Sequence, residues 1–195
     1  MITKQEKLAK RFFDITLAII VIPFLLLPMS FFFLLATVST KSLGWFSQKR
    51  VGKEGRLFCL YKIKTLKGKN HTDSFAIHQA ETSFGHWLRK SKLDEIPQVF
   101  NVLLGDMSFV GPRPDVPGYA DFLQGEDRIV LSVRPGITGP ATLKYKNEDQ
   151  LLLQQEHPLH YNDTVIWPDK VAINKAYVEN WTFFGDICYL WKSIF

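Results

Sequence analysis

Between Ile15 and Thr40 the chain carries no charged side chain for 26 residues, and no other feature limits its folding so strongly. As an α-helix that segment extends roughly 39 Å at about 1.5 Å per residue, enough to cross the hydrocarbon of a bilayer. It is about twice as long as the apolar region of a cleaved signal peptide, and no A-x-A site follows it. Basic residues flank both ends: Lys4, Lys7, Lys10 and Arg11 before it, and Lys41, Lys49, Arg50, Lys53 and Arg56 after it. A single crossing puts one cluster on the wrong side under the positive-inside rule, whereas a segment that enters and returns satisfies both. Pro23 and Pro28 supply the bend, because each removes a backbone donor and clashes with the preceding turn. Thr16 and Ser30 are hydroxyls able to compensate the freed backbone in lipid. A kinked helix that crosses the bilayer outright remains an alternative reading of the same residues.

Beyond Lys41 the chain turns soluble in character. Its 195 residues, 46% hydrophobic and 22% charged, suffice for one folded domain with a core. The formal charge of +5 suits an anionic partner, whether membrane surface, nucleotide or nucleic acid, without choosing among them. Cys59 and Cys188 stand far apart, without neighbours at metal-ligand spacing, so neither a disulfide framework nor a zinc site is indicated. Both are expected to be small buried hydrophobes in a reducing compartment. His71, His78, His86, His157 and His160 are scattered and read as structural or surface residues.

Two apolar stretches from Trp45 to Leu66 surround Val51-Gly52-Lys53-Glu54-Gly55, the pattern of a β-hairpin. Lys67 to Ser83 is polar and aperiodic, so a surface loop is expected, followed by a short helix from Phe84 to Arg89. Asp94 to Leu104 resembles a helix start with proline and acids in its first turn, stopping at Gly105. Val110-Gly111-Pro112-Arg113-Pro114 and Arg134-Pro135-Gly136-Ile137-Thr138-Gly139-Pro140 impose stiff, irregular backbone. Near the C-terminus Phe184, Ile187, Cys188, Trp191 and Phe195 share a helical face, with Trp181 and Tyr177 one and two turns earlier. That face either packs on the core or lies in a membrane interface.

The chemistry-bearing candidates are the adjacent carboxylates Asp94 and Glu95, preceded by Arg89, Lys90 and Lys92, and Arg113, caged between two prolines. A guanidinium grips phosphate oxygens in bidentate fashion and loses less entropy when its loop is rigid. A carboxylate serves phosphoryl transfer either as a Mg²⁺ ligand or as a nucleophile. No P-loop, dinucleotide fingerprint, G-x-S-x-G or H-E-x-x-H motif is present.

Leu93-Asp94-Glu95-Ile96-Pro97-Gln98, Asn101-Val102-Leu103, Gly105 to Pro114 and Arg134 to Gly139 together resemble the bacterial sugar transferase family, the monotopic phosphoglycosyl transferases. The similarity extends to Lys10 to Asp14, Gln48 to Gly52 and Tyr161 to Asp186, nearly the whole chain. The resemblance implies an α+β, mostly helical monotopic membrane protein. Its parts are an N-terminal re-entrant helix broken at proline, with Pro23 the favoured position, a β-hairpin and Pro/Gly-rich active-site loops. Residues 1–41 form the anchoring hairpin, and 42–195 the catalytic domain with a C-terminal amphipathic helix, on the cytoplasmic face of the bacterial inner membrane.

The reaction so implied moves a phosphosugar from a UDP-sugar to a polyprenyl phosphate such as undecaprenyl phosphate, with Mg²⁺, releasing UMP. It is the first membrane step in assembling a lipid-linked glycan. Asp94 resembles the nucleophile that forms an aspartyl phosphosugar, and Glu95 the second carboxylate of the family's dyad. Lys62, Arg89 and Arg113 match the phosphate-facing cations. Asp127 stands where the family has an acidic residue and joins Asp94 and Glu95 as a metal-ligand candidate. Lys146, a further phosphate-binding candidate, and Lys64 stand where arginine is usual, and Lys146 keeps the charge without the planar fork. No nucleic-acid partner beyond the nucleotide sugar is implied, and a homo-oligomer is compatible with the sequence. The competing reading is a catalytically inactive, membrane-associated binding protein.

Overall fold

The computed structural model describes residues 2–68 and 79–194, so the expected loop from Lys67 to Ser83 falls largely outside the described residues. The chain forms two compact units, one of Ile15–Gln48 with Cys59–Leu104, the other of Met1–Asp14, Lys49–Phe58 and Gly105–Phe195. Helix α1, Lys4–Thr40, and the hairpin strands β1, Trp45–Val51, and β2, Leu57–Ile63, supply residues to both. The hairpin forms where the two apolar stretches and the turn between them place it. Its tip turns through Lys53–Gly55, with Glu54 at φ 60° and Gly55 at φ 80°.

In the first unit α1 is two-faced. Met29, Phe32 and Ala36 pack into a cluster with Ile63, Phe84, Leu88, Leu93, Ile96 and Phe100. Ile20, Phe24, Leu27, Phe31, Leu34 and Val38 are exposed, a stripe with alternating steps of four and three that keeps to one side of a helix. The helix is long and apolar enough to cross a membrane. Helical structure continues through Pro23 and Pro28. Ser30 Oγ donates to Leu26 O at 2.7 Å, not to Phe24 O, the carbonyl whose helical donor Pro28 removes. Such back-bonding bends a helix without repairing the lost bond.

Helix α2, Ser83–Lys90, starts at Thr82, whose side chain accepts from Gly85 N at 2.8 Å, a standard N-cap. Gly85 is required there, because a Cβ would lie 2.1 Å from Thr65 O. The expected helix from Asp94 to Leu104 is shorter. Leu93–Glu95 form a single 3₁₀ turn, and helix α3 runs Gln98–Leu104, ending before Gly105 at φ 99°.

In the second unit β3, Ser108–Val110, pairs in parallel with β4, Gly136–Thr138, with Ser108 opposite Gly136 and Val110 opposite Thr138. The two Pro/Gly clusters thus lie backbone to backbone. A Cβ on Gly136 would sit 2.1 Å from Gly111 N, so no side chain fits. Helices α4, Pro140–Lys144, α5, Glu148–Leu153, and α6, Pro158–Tyr161, follow. One π-helical turn, Asn162–Ile166, leads into α7, Trp167–Glu179, and α8, Phe183–Ile194, closes the chain.

The C-terminal reading needs one correction, and of its two alternatives the core-packed face is not the one observed. Helix α7 stops at Asn180, so Tyr177 belongs to α7 and Trp181 to the connection. Phe184, Ile187, Cys188 and Trp191 are exposed, because α8 turns Asp186 inward instead, where Lys10 Nζ, Tyr177 OH and Trp181 Nε1 all donate to it. The cysteines also depart from expectation. Cys59 and Cys188 are exposed free thiols, on the outward sides of a two-stranded hairpin and of α8.

Asp14, also buried, accepts from Ser108 Oγ and Phe109 N, both at 3.0 Å, fixing the start of α1 to β3. Breaking a buried ion pair by removing one partner costs about 3–5 kcal/mol, since the other charge is left in low dielectric. Asp186→Asn is therefore expected to lose about 3 kcal/mol, read as a lowered denaturation midpoint in detergent, whereas Glu156→Gln, at an exposed position, should shift it by less than about 0.5 kcal/mol.

Candidate active site

The acidic pair is buried. Asp94 is 6% exposed and Glu95 7%, in a turn entered through Lys92 at φ 58°. Leu93 and Ile96 on either side of the pair point into the cluster that holds α1, and this burial draws the turn out of water.

Lys62 on β2 faces the pair, its Nζ donating to Glu95 Oε1 at 2.8 Å. The strand is held to α3 by Asn101, fully buried. Asn101 Oδ1 accepts from Tyr61 N at 3.1 Å, and its Nδ2 donates to Cys59 O at 2.7 Å. An asparagine inside an apolar helix must find such partners, and here they set the register that brings Lys62 to Glu95.

Asp94 is in a different position. Its Oδ1 is buried with no hydrogen-bond partner among the described residues. Desolvation raises its carboxyl above the ordinary range. Lys62 opposes that shift, Glu95 adds to it by repulsion, and Arg89 and Lys92 lower it. Arg89, on α2, is thus close enough to act on Asp94 electrostatically. It also pairs through Nε with Glu81 Oε1 at 3.3 Å. Lys62, Arg89, Asp94 and Glu95 accordingly form one cluster of alternating charge. Such a cluster can bind an anion at its cations and present a carboxylate oxygen to it.

The residues present fit a magnesium ion to a limited extent. Mg²⁺ uses one or two carboxylates and fills its octahedron with water and substrate phosphates, and the unpartnered Asp94 Oδ1 beside Glu95 is suitable. Among the described residues no three His, Cys, Asp or Glu side chains converge on a metal-sized site.

Arg113, Asp127 and Lys146 belong to the other unit. The Arg113 loop is tied down there by Gly136 N to Pro112 O at 2.8 Å, Val51 N to Asp115 O at 2.9 Å, and Arg50 Nη1 to Pro114 O at 3.3 Å. Next to Arg113, burial pushes the Asp115 carboxyl up to about 6, against the pull of Lys170, Arg50 and Arg113. Asp127 is exposed and accepts from Lys175 at 3.3 Å, a lysine shared with Glu126. Lys146 is exposed. Lys64, in the first unit, donates to Ser42 Oγ at 2.8 Å.

Sequence reasoning did not single out Asn101 for a role, nor Asp115 or Glu81 at all. An asparagine among Val, Phe and Leu was the available signal for Asn101. Asp115 and Glu81 carry none that spacing reveals.

A family model described as bacterial sugar transferase matches residues 5–195. The chain is 35% identical over 188 residues to the uncharacterised sugar transferase EpsL of Bacillus subtilis, covering 91% of this chain and 81% of that protein. It is 33% identical over 187 residues to the UDP-N-acetylgalactosamine-undecaprenyl-phosphate N-acetylgalactosaminephosphotransferase of Aeromonas hydrophila, covering 90% of this chain and 44% of that protein. It is 29% identical over 209 residues to the undecaprenyl-phosphate galactose phosphotransferase of Salmonella typhimurium, covering 97% of this chain and 40% of that protein. The chain thus spans less than half the length of these last two relatives.

The Asp115 environment yields a test of sign. A carboxyl whose pKa is higher folded than unfolded stabilises the fold fully below its unfolded pKa of about 3.9, and that contribution is lost as pH rises through the folded value. Wild-type stability minus that of Asp115→Asn should therefore fall by ~2 kcal/mol between about pH 4 and pH 7. Melting midpoints of the two proteins across that range measure the difference.

Proposed function

The chain belongs to the bacterial sugar transferase family, and from that premise we propose that it transfers a phosphosugar from a UDP-sugar to a polyprenyl phosphate. The observation that carries this reading is the buried Asp94 carboxylate, with one oxygen left unpartnered beside Lys62 and Arg89. Buried polar atoms are nearly always satisfied, so an exception within a cluster that includes two cations favours a ligand there.

In the proposed chemistry an Asp94 oxygen attacks the phosphorus that carries the sugar. The bond from that phosphorus to the bridging oxygen breaks, and UMP leaves with the electron pair. An oxygen of the polyprenyl phosphate then attacks the same phosphorus, and the bond to Asp94 breaks. This restores the carboxylate and yields a polyprenyl diphosphate sugar. Raised proton affinity at Asp94 also marks a more basic, more nucleophilic carboxylate once ionised.

Lys62 holds Glu95 beside the nucleophile, and Arg89 meets the diphosphate. Glu95 and Asp94 would hold Mg²⁺ arriving with the donor, which neutralises charge on the phosphates. Arg113, on its rigid loop in the other unit, is proposed as an anion-binding residue in its own right, and Asp127 and Lys146 are given no step.

Helix α1 is the proposed anchor. At about 1.5 Å per residue its 37 residues extend roughly 55 Å, well beyond the ~30 Å of bilayer hydrocarbon. The basic residues at both ends favour a bent segment that re-enters the same leaflet and leaves both ends cytoplasmic.

Protein in detergent, given undecaprenyl phosphate and Mg²⁺, is expected to release UMP from at least one UDP-sugar of a panel that includes UDP-galactose and UDP-N-acetylgalactosamine. Asp94→Asn should cut that release by at least about a thousandfold with melting unchanged, since the amide keeps the shape but is no nucleophile. Silence across the whole panel would sink the proposal.

A further inference from the structure

We propose that Glu81 is a positioning residue, one that fixes the Arg89 guanidinium in the orientation with which it meets the donor diphosphate. This rests on the reading of Arg89 given under Proposed function.

Glu81 immediately precedes Thr82, the N-cap of α2, and its backbone is held from both sides. It pairs with Leu66 in an antiparallel bridge. Lys67 N donates to Ala80 O at 2.8 Å, and Thr82 N to Thr65 O at 3.2 Å. The side chain is only 11% exposed, and both carboxylate oxygens are engaged. His86 Nδ1 donates to Oε2 at 2.9 Å, and Arg89 Nε lies 3.3 Å from Oε1. His86 and Arg89 are three residues apart on α2 and so share a face. With one oxygen held by each, the carboxylate plane cannot rotate freely.

An arginine side chain has high rotamer entropy, but its fork is planar, so fixing Nε fixes the direction of the whole guanidinium. The alternative for Arg89 is close by, since its charge already acts on Asp94. Without Glu81, Arg89 is freed to fold onto the acidic pair and neutralise the group that must meet phosphorus. Glu81 therefore does two things: it orients a cation towards substrate, and it competes with the acidic pair for that cation. An ordinary role as an acid near the start of α2 predicts lost stability with no link to Arg89, and this difference makes the inference testable.

The full chain in detergent, with Mg²⁺ and UDP as the probe, allows affinity to be read by calorimetry whatever sugar the protein prefers. Glu81→Ala is expected to weaken UDP binding ~10-fold and Glu81→Gln, which keeps the shape and one acceptor oxygen, ~3-fold. Neither loss should add to that of Arg89→Ala in the double variants, because residues acting through one another are non-additive. In turnover, KM for the donor should rise more than kcat falls. If Glu81→Ala fails to fold, the Glu81→Gln cycle decides alone. Unchanged UDP affinity in Glu81→Gln and Glu81→Ala overturns the inference, as do losses that multiply with that of Arg89→Ala. UMP release by the wild-type protein is measured alongside. Its absence removes the reading of Arg89 and this inference together, whereas turnover that needs Arg89 but ignores Glu81 removes this inference only.

Discussion

A carboxylate withdrawn from water must be met by cations or donors, and each one taken into this protein's interior sets a piece of its structure. Desolvation costs several kcal/mol per ion unless partners replace the water. Asp186 receives Lys10, Tyr177 and Trp181, which joins the first turns of α1 to α7 and α8. Asp14 receives Ser108 and Phe109, which fixes β3. Glu95 receives Lys62, which sets β2 against the acidic turn. Asp94 Oδ1 alone among the buried carboxylate oxygens of the described residues has no hydrogen-bond partner. Where Asp14, Glu95 and Asp186 are each provided for, an unprovided oxygen on Asp94 has the character of a reserved position.

How far the sequence disclosed this depends on whether the cause was local. The hairpin, the short helix around Phe84 to Arg89 and the stop at Gly105 were legible because apolar stretches about a turn and a glycine at a helix end act within a few residues. The burial of Asp94 and Glu95 was not. Two acids before a helix look like a solvated start, and what hides them is distant packing of Leu93 and Ile96 against α1. The same holds for α8. Its apolar spacing was visible, but which face turns inward was decided by Asp186, two of whose three partners lie nine or more residues away. Lys62 entered through family resemblance alone, whereas Arg89 was also visible as a cation just before the acidic pair. Glu81 lies in a polar, aperiodic stretch, and its significance comes from two side chains on the following helix.

The departures from the family pattern differ in physical weight. Lys64 directs its ammonium at a single hydroxyl, Ser42 Oγ, a contact a point charge makes as well as a guanidinium does. Lys146 is solvent-exposed, where an ammonium is strongly hydrated, so phosphate contact there has to be made at the expense of bound water and without a bidentate fork. The first replacement is accommodated by its surroundings, while the second alters what the position offers to an anion.

The last step concerns where the acidic turn stands with respect to lipid. Leu93 and Ile96, which flank Asp94 and Glu95, share one cluster with Met29, Phe32 and Ala36 of α1, and the opposite face of that helix carries the exposed stripe from Ile20 to Val38. The segment proposed to enter the membrane and the turn proposed to do the chemistry are thus two sides of one packed layer. Packed interiors transmit displacement instead of absorbing it, so in the proposed arrangement the depth of the helix in lipid would fix the height of Asp94 without depending on a linker. A reaction whose acceptor phosphate is confined to the headgroup plane benefits from that geometry, because alignment of the reacting atoms is settled by side-chain packing before substrate arrives.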